Sequence, residues 1–235
     1  MIVDITNLTK RYGAHFCLSV PHLHIETRER VGLVGNNGAG KTTFLRLLLD
    51  LLKADEGTVA LNGEAVHDTT AWKKETGSYL DESFLIDFLT AEEFFYFVGN
   101  LYGYDHDATH TALDPYRSFL APELFGSAPP YISELSLGNK KKVGIVAALF
   151  IKPTLLVLDE PFANLDPGSQ IRLKSMLKSL CREHGTTLLL SSHDLLHVTD
   201  VCERIVVLHD GQIANDLVTS DMTLQELEAF FSPEA

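Results

Sequence analysis

The sequence predicts an α/β fold with a mainly parallel sheet, and three stretches carry that prediction. Val31-Gly32-Leu33-Val34 leads into the glycine-rich Gly35-Asn36-Asn37-Gly38-Ala39-Gly40-Lys41-Thr42 and then into the near-continuously apolar Phe44 to Leu52. Leu155-Leu156-Val157-Leu158 ends abruptly in Asp159-Glu160-Pro161, and the apolar Leu188-Leu189-Leu190 comes shortly before His193. Short apolar runs without polar alternation suit strands buried on both faces, as in a parallel sheet. The carboxyl ends of such strands form the ligand crevice of a doubly wound sheet.

The first of these stretches fits the G-x-x-x-x-G-K-[ST] phosphate-binding pattern, between a strand and a helix predicted over Phe44 to Leu52. Its glycines let the backbone curl so that several N–H groups face inward, and the helix N-terminus adds partial positive charge where phosphates would lie. In this pattern Lys41 reaches the β- and γ-phosphates and the Thr42 hydroxyl ligates Mg²⁺. Thr43 and the loop residues Gly35, Asn36, Asn37, Gly38, Ala39 and Gly40 complete the nucleotide-binding set.

Beyond the loop, Thr58 to Leu61 and Glu64 to Val66 read as a hairpin, because Asn62-Gly63 is the strongest two-residue turn signal. From Ser83 to about Glu134 the strand patterns vanish. Thr90-Ala91-Glu92-Glu93 opens a helix with a capping box, and Phe94-Phe95-Tyr96-Phe97-Val98 reads as core rather than interface. Pro115, Pro122, Pro129 and Pro130 then break the region into short pieces.

Leu135-Ser136-Leu137-Gly138-Asn139 precedes a further helix, which Ser136 and Gly138 are suited to cap. The adjacent Asp159 and Glu160 at the end of a core strand need a reason. Beside a phosphate loop, Asp159 suits the metal and Glu160 an attacking water; the alternative is a charged strand end meeting solvent. After His193, Ile205 to Leu208 and the Asp210-Gly211 turn suggest another hairpin, and Thr223-Leu224-Gln225-Glu226 starts a short closing helix.

Composition limits the alternatives. A chain of 235 residues that is 45% apolar can bury a sizeable core. No stretch approaches the eighteen or so uninterrupted apolar residues of a membrane span, and no basic-then-apolar signal pattern opens the chain, so a cytosolic protein is expected. Cys17, Cys181 and Cys202 are odd in number and lack a C-x-x-C spacing, which fits reduced thiols. Pro21-His22-Leu23-His24 alternates along a strand with no Cys or acidic ligand nearby in sequence, so a metal site there is not expected. A net charge of −13 argues against nucleic-acid binding. Lys140-Lys141-Lys142 is the only dense basic run, expected on a solvated helix face.

From about Ile2 to about Leu217 these elements resemble, in order, those of the ATP-binding cassette (ABC) ATPases. Leu135 to Asn139 is similar to the family's signature sequence, with Leu137 in place of the usual Gly and Asn139 in place of Gln. Asn164-Leu165-Asp166 resembles the D-loop, and His193 the switch histidine. Tyr12 matches the aromatic that stacks on adenine, although packing within an edge strand is open to it too. Gly77 to Glu82 resembles the strand leading into the Q-loop, with Glu82 where Gln is usual. Glu can still bind Mg²⁺ or its water, but it adds negative charge beside a triphosphate; capping of the next segment by Asp81 and Glu82 is the other reading.

The resemblance implies the ABC ATPase fold, a P-loop NTPase core with a mainly parallel sheet, a small antiparallel β-subdomain and an inserted helical subdomain. Residues 1–82 and 135–218 would form the core, 83–134 the helical subdomain and 219–235 a short C-terminal helix. Glu160 would be the general base, His193 and Lys41 would hold the γ-phosphate, and Thr42, Asp159 and Glu82 would face Mg²⁺. Ser136, Leu137, Gly138 and Asn139 would reach ATP bound by a partner chain in a head-to-tail dimer, which offers the run Lys140-Lys141-Lys142 a second place, near that nucleotide. The partners implied are a second ABC ATPase subunit, identical or different, and an integral membrane permease, with the chain peripheral on the cytoplasmic face. The Leu-Ser-Leu-Gly variant resembles exporter-type subunits. A soluble cassette that remodels a protein or nucleic-acid assembly is the second reading, and a metabolic P-loop kinase leaves the signature and His193 unexplained.

Overall fold

The computed structural model describes residues 1–13, 15–220 and 222–231. Its strands are β1 (Val3–Tyr12), β2 (Phe16–Ile25), β3 (Arg30–Val34), β4 (Glu56–Leu61), β5 (Glu64–Ala65), β6 (Thr76–Tyr79), β7 (Leu155–Asp159), β8 (Thr187–Ser192), β9 (Arg204–His209) and β10 (Gln212–Val218). Helices are α1 (Lys41–Leu48), α2 (Ala91–Leu101), α3 (His106–Leu113), α4 (Leu137–Leu149), α5 (Pro167–His184), α6 (Leu195–Val201) and α7 (Thr223–Phe231). The strands form one sheet in the order β5-β4-β1-β2-β10-β9-β3-β8-β7-β6.

One half of the sheet, β9-β3-β8-β7-β6, is parallel, and the other is built from antiparallel pairs, with β10 meeting β2 in parallel. Register sets the functional edge. Val34 lies opposite Ser192, and Asp159 opposite Ser191, so β3, β7 and β8 end level with one another. The residues that follow these ends, Gly35, Glu160 and His193, therefore emerge at one rim of the sheet.

The apolar strand runs divide between two cores because successive side chains point to opposite faces. Leu155, Val157 and Leu189 join Phe44, Leu45 and Leu48 of α1 on one face. Leu156, Leu158, Leu188 and Leu190 join α4 and α5 on the other. Gly32 and Gly77 let helices approach closely: a Cβ on Gly32 would lie 2.1 Å from Val198 Cγ1, and one on Gly77 2.2 Å from the Ala148 carbonyl oxygen.

Asn62-Gly63 turns β4 into β5 with both residues at positive φ, 52° and 84°, the conformation a two-residue type I′ turn requires. Asp210-Gly211 does the same between β9 and β10. The capping box at Thr90 forms, with the Thr90 hydroxyl accepting from the Glu93 amide and Glu93 accepting from the Thr90 amide. Proline-containing 3₁₀ turns occupy Asp114–Tyr116 and Pro122–Phe125.

Several expectations are corrected. The helix after the phosphate loop ends at Leu48, not Leu52: Asp50 takes a left-handed φ of 52°, and Leu51 is exposed. The aromatic run of α2 is split, Phe94 and Phe95 in the core and Phe97 exposed, since five consecutive residues span more than one helix face. His24 does have acidic neighbours, Asp4 at 2.5 Å, brought there by the β1–β2 pairing, and Glu26, only two positions further along the chain, at 3.2 Å. Of residues 219–235, those at 221 and 232–235 lie outside the described residues.

Candidate functional site

Phosphate binding begins with the backbone after β3. Gly35 passes so close to β9 that a Cβ there would lie 2.3 Å from the Leu208 carbonyl oxygen. Gly40 enters α1 at φ 106°, beyond the reach of an ordinary L-residue, and it supplies no side-chain cap. The first turn of α1 carries no acidic residue. The first backbone N–H groups of α1 thus meet no side-chain cap at this rim, an arrangement that attracts an anion.

Lys41 is nearly buried and folds back along the loop. Its ammonium donates to the Gly35 carbonyl at 2.6 Å and lies 3.5 Å from Glu160 Oε1. The Thr42 hydroxyl donates to Asp159 Oδ2 at 2.5 Å, and Ser191 Oγ donates to the other oxygen of the same carboxylate. Asp159 is buried, so these hydroxyls satisfy a carboxylate that water hardly reaches. Ser191 was not singled out from the sequence; its place directly opposite Asp159 in the parallel ladder is the only signal for it.

Glu160 follows Asp159 at a positive φ of 46°, unusual for a side chain of its kind. Its amide donates to the Ser191 carbonyl at 3.2 Å and to Ser191 Oγ at 3.1 Å. Its carboxylate is shared: Oε1 faces Lys41, and Oε2 is 2.9 Å from His193 Nδ1. A carboxylate, an imidazole and an ammonium therefore converge at the ends of β7, β8 and the phosphate loop.

An open cleft of about 320 Å³ lies over this constellation, lined by Tyr12, Asn36, Asn37, Gly38, Lys41, Thr42, Thr43 and Glu160, with Phe16 and Gly40. Tyr12 is about half exposed at the end of β1, tilted at 6.3 Å against Phe16. It thus packs against its edge-strand neighbour and lines the cleft at the same time.

The remaining predicted residues stand elsewhere. Ser136 caps α4 by accepting from the Asn139 amide at 3.3 Å, with Leu137 exposed beside it. Asp166 caps α5, accepting from the Ser169 amide at 2.9 Å, and pairs with Lys142 at 3.5 Å. The Ser169 hydroxyl, which donates to Asp166 Oδ2 at 2.5 Å, together with the Ser169 amide and then Lys142, holds the Asp166 carboxyl down at about 2. Gly138 runs close to the Asn164 carbonyl, where a Cβ would lie at 3.1 Å. Glu82 accepts from the Tyr79 hydroxyl at 2.7 Å, and among the described residues no hydrogen bond or ion pair joins it to Thr42 or Asp159. The segment cap at this point is Asp81, which accepts from the Ser83 amide.

Fold and site together define an ATP-binding cassette ATPase, and the chain belongs to the ABC transporter family. Residues 18–163 match that family, described as "ABC transporter". The chain is 33% identical to the bacitracin transport ATP-binding protein BcrA of Enterococcus faecalis over 226 residues, 94% of this chain and 70% of the relative. It is 31% identical to the phosphonates import ATP-binding protein PhnC of Alcaligenes faecalis, covering 99% of this chain and 89% of the relative. Among solved structures, the ATP-binding cassette MJ0796, a dimer in a post-hydrolysis state bound to ADP and Pi, superposes with a TM-score of 0.80 at 25% identity, covering 93% of this chain and 99% of that one. The protein is the ATP-binding and ATP-hydrolysing subunit of an ABC transporter.

Proposed function

We propose that the chain works as one half of a head-to-tail pair of cassettes docked on a membrane permease, with Glu160 as the residue that activates water. The observation that carries this reading is the convergence of Lys41 and His193 on the two oxygens of Glu160 beside an uncapped helix N-terminus. ATP enters the cleft with its base against Tyr12 and its phosphates along the Gly35–Thr43 backbone. Lys41 then leaves its loop carbonyls for the β- and γ-phosphates, which frees Glu160 Oε1 to accept a proton from water. His193 holds Glu160 through the opposite oxygen and orients the γ-phosphate. A positioned base of this kind contributes roughly 10² to 10⁴ in rate.

Thr42 and Asp159 together offer a hydroxyl and a carboxylate, hard oxygen donors 2.5 Å apart that suit Mg²⁺, which keeps most of its waters and takes few protein ligands. When bound, Mg²⁺ would neutralise charge developing on the β- and γ-phosphate oxygens. Glu82, engaged by Tyr79, is assigned at most a water-mediated place around it.

Ser136, Leu137, Gly138 and Asn139 would close on the nucleotide of the opposing chain, where a capped helix N-terminus can hold an anion as well as its cap. A permease would dock in the apolar groove of about 270 Å³ between β6, α2 and α4, lined by Leu51, Tyr79, Phe84, Phe94, Leu101 and Tyr102. Phe84 and Leu101 are more than half exposed there. Among the described residues no helix is long and apolar enough to cross a membrane. Export is the direction we favour, on the Leu-Ser-Leu-Gly variant, and the phosphonate-import relative makes inward transport the outcome that would displace it.

The test is recovery of tagged protein from detergent-solubilised native membranes, with Glu160→Gln and ATP present to hold the closed state. Stoichiometric recovery of a polytopic membrane protein is expected, and its substrate decides direction. Recovery only from the soluble fraction would instead support a remodelling cassette.

A further inference from the structure

Lys140, Lys141 and Lys142 look alike in sequence but do not share an environment. Lys140 reaches Asp87 at 3.5 Å, and Lys142 reaches Asp166 at 3.5 Å. Lys141 turns inward and is only 5% exposed. A buried ammonium is costly unless it is partnered, so its surroundings call for a reason.

Those surroundings form a chain between two parts of the cassette. The Lys141 ammonium donates to the main-chain carbonyl of Glu160 at 3.0 Å. It lies 5.8 Å from the centre of the Tyr79 ring, in cation–π range. The Tyr79 hydroxyl donates to Glu82 Oε1 at 2.7 Å. Gly144, one turn after Lys141, admits the ring: a Cβ there would stand 2.5 Å from Tyr79 Cδ2 and Cε2. Burial lowers the affinity of Lys141 for its proton, and the carboxylates of Glu82, Glu160 and Asp159 raise it.

We propose that Lys141 is a positioning residue for hydrolysis, which pins the left-handed backbone turn of Glu160 and connects that turn to Tyr79, a residue lining the apolar groove, and through its hydroxyl to Glu82. This rests on the assignment of Glu160 as the base. Glu160 is gripped from both sides, its amide by Ser191 and its carbonyl by Lys141, in a conformation that a residue of its type does not favour. Because Lys141 bonds to the backbone and not to the carboxylate, both carboxylate oxygens stay available to Lys41, His193 and water. Glu82 accordingly acts as the acidic counterpart of a buried lysine, a role in which a neutral glutamine would be weaker. A shift of Tyr79, which lines the groove, would reach the backbone turn of Glu160 through a single ammonium.

The experiment measures ATP affinity by equilibrium binding and kcat by steady-state hydrolysis for Lys141→Met, Lys141→Arg and Tyr79→Phe. Lys141→Met is expected to lower kcat on the order of 10- to 100-fold, as for a reacting group misplaced by about 1 Å, with the ATP Kd unchanged within about twofold. Lys141→Arg, which keeps cation and donor, should recover most of the rate. On a Glu160→Gln background Lys141→Met should cause no further loss, since the two act through one group. Tyr79→Phe keeps the ring and the fold but releases Glu82; its expected loss in kcat, again at constant Kd, tests the connection even if the methionine variant fails to fold. Parental kcat in both Lys141→Met and Tyr79→Phe, or losses in Kd matching those in kcat, would overturn the proposal. Glu160→Gln alone hydrolysing at the parental rate would instead remove the base assignment on which it rests.

Discussion

Glu160 concentrates more constraints than any other residue of the site. Its carboxylate touches Lys41 and His193, its amide is held by Ser191, and its φ is positive. Glu160→Gln keeps the shape and removes the proposed base, so hydrolysis should fall roughly 10²- to 10⁴-fold while ATP binding persists; single-turnover hydrolysis and nucleotide binding check this, and a parental rate would refute it. Much of this was legible: Asp159-Glu160 after an apolar run and Lys41 in a glycine-rich loop are local patterns. Ser191 was not, because nothing in its own neighbourhood distinguishes it from any other strand serine. Cys181 and Cys202, read as reduced thiols, are both buried, and burial raises both thiols, Cys181 to about 11. They stand as inert packing groups.

Among the elements, α5 shows how one residue can answer to two readings. Asp166 at its N-cap, Pro167 next and Gly185 in the left-handed conformation after its last turn bracket an 18-residue helix. The same Asp166 is the proposed D-loop residue. With its carboxyl held at about 2 against an ordinary 3.8, the cap contributes stability above the ordinary value and loses it as pH falls from there through about 2. Asp166→Ala should therefore lower Tm by a few degrees at neutral pH, and the gap from the parent should close on acidification toward pH 2. Thermal melts across that range decide it; a gap independent of pH would show that the carboxylate is not the stabilising group. The helix after the phosphate loop marks where element boundaries escape the sequence. Leu49, Leu51 and Leu52 continue its apolar run, yet the chain turns at Asp50 to feed β4. Tertiary demand for that turn outweighs three leucines' preference for helix.

At the scale of the molecule, the signature residues have no contact with the chain's own phosphate loop among the described hydrogen bonds, and Leu137 is left exposed. The interface proposed at this face is a property of two chains. Glu160→Gln with ATP should shift the protein from monomer to dimer, whereas ADP should not, as light scattering coupled to gel filtration would register. A Ser136→Arg substitution on the same background should abolish the shift; a dimer indifferent to nucleotide or to Ser136 would count against head-to-tail closure. In the proposed cycle ATP would act as a ligand that favours one state of the pair, and loss of the γ-phosphate would reverse it.

Taken alone, the sequence determined what depends on neighbouring residues: the curl of the phosphate loop, the turns at Asn62-Gly63 and Asp210-Gly211, the capping box at Thr90 and the paired acids after a buried strand. Each is a matter of backbone preference or of reach within a few positions. Tertiary structure alone decided what depends on separations of tens to hundreds of residues. Parallel register levelled Asp159 with Ser191, 32 positions away, and brought Asp159 to Thr42 across 117. Helix packing on the sheet chose which of three successive lysines would be buried, and set Lys141 against Glu160 and Tyr79. No local pattern distinguishes Lys141 from its neighbours, because desolvation and charge pairing are imposed by groups that the fold, not the chain, places beside it.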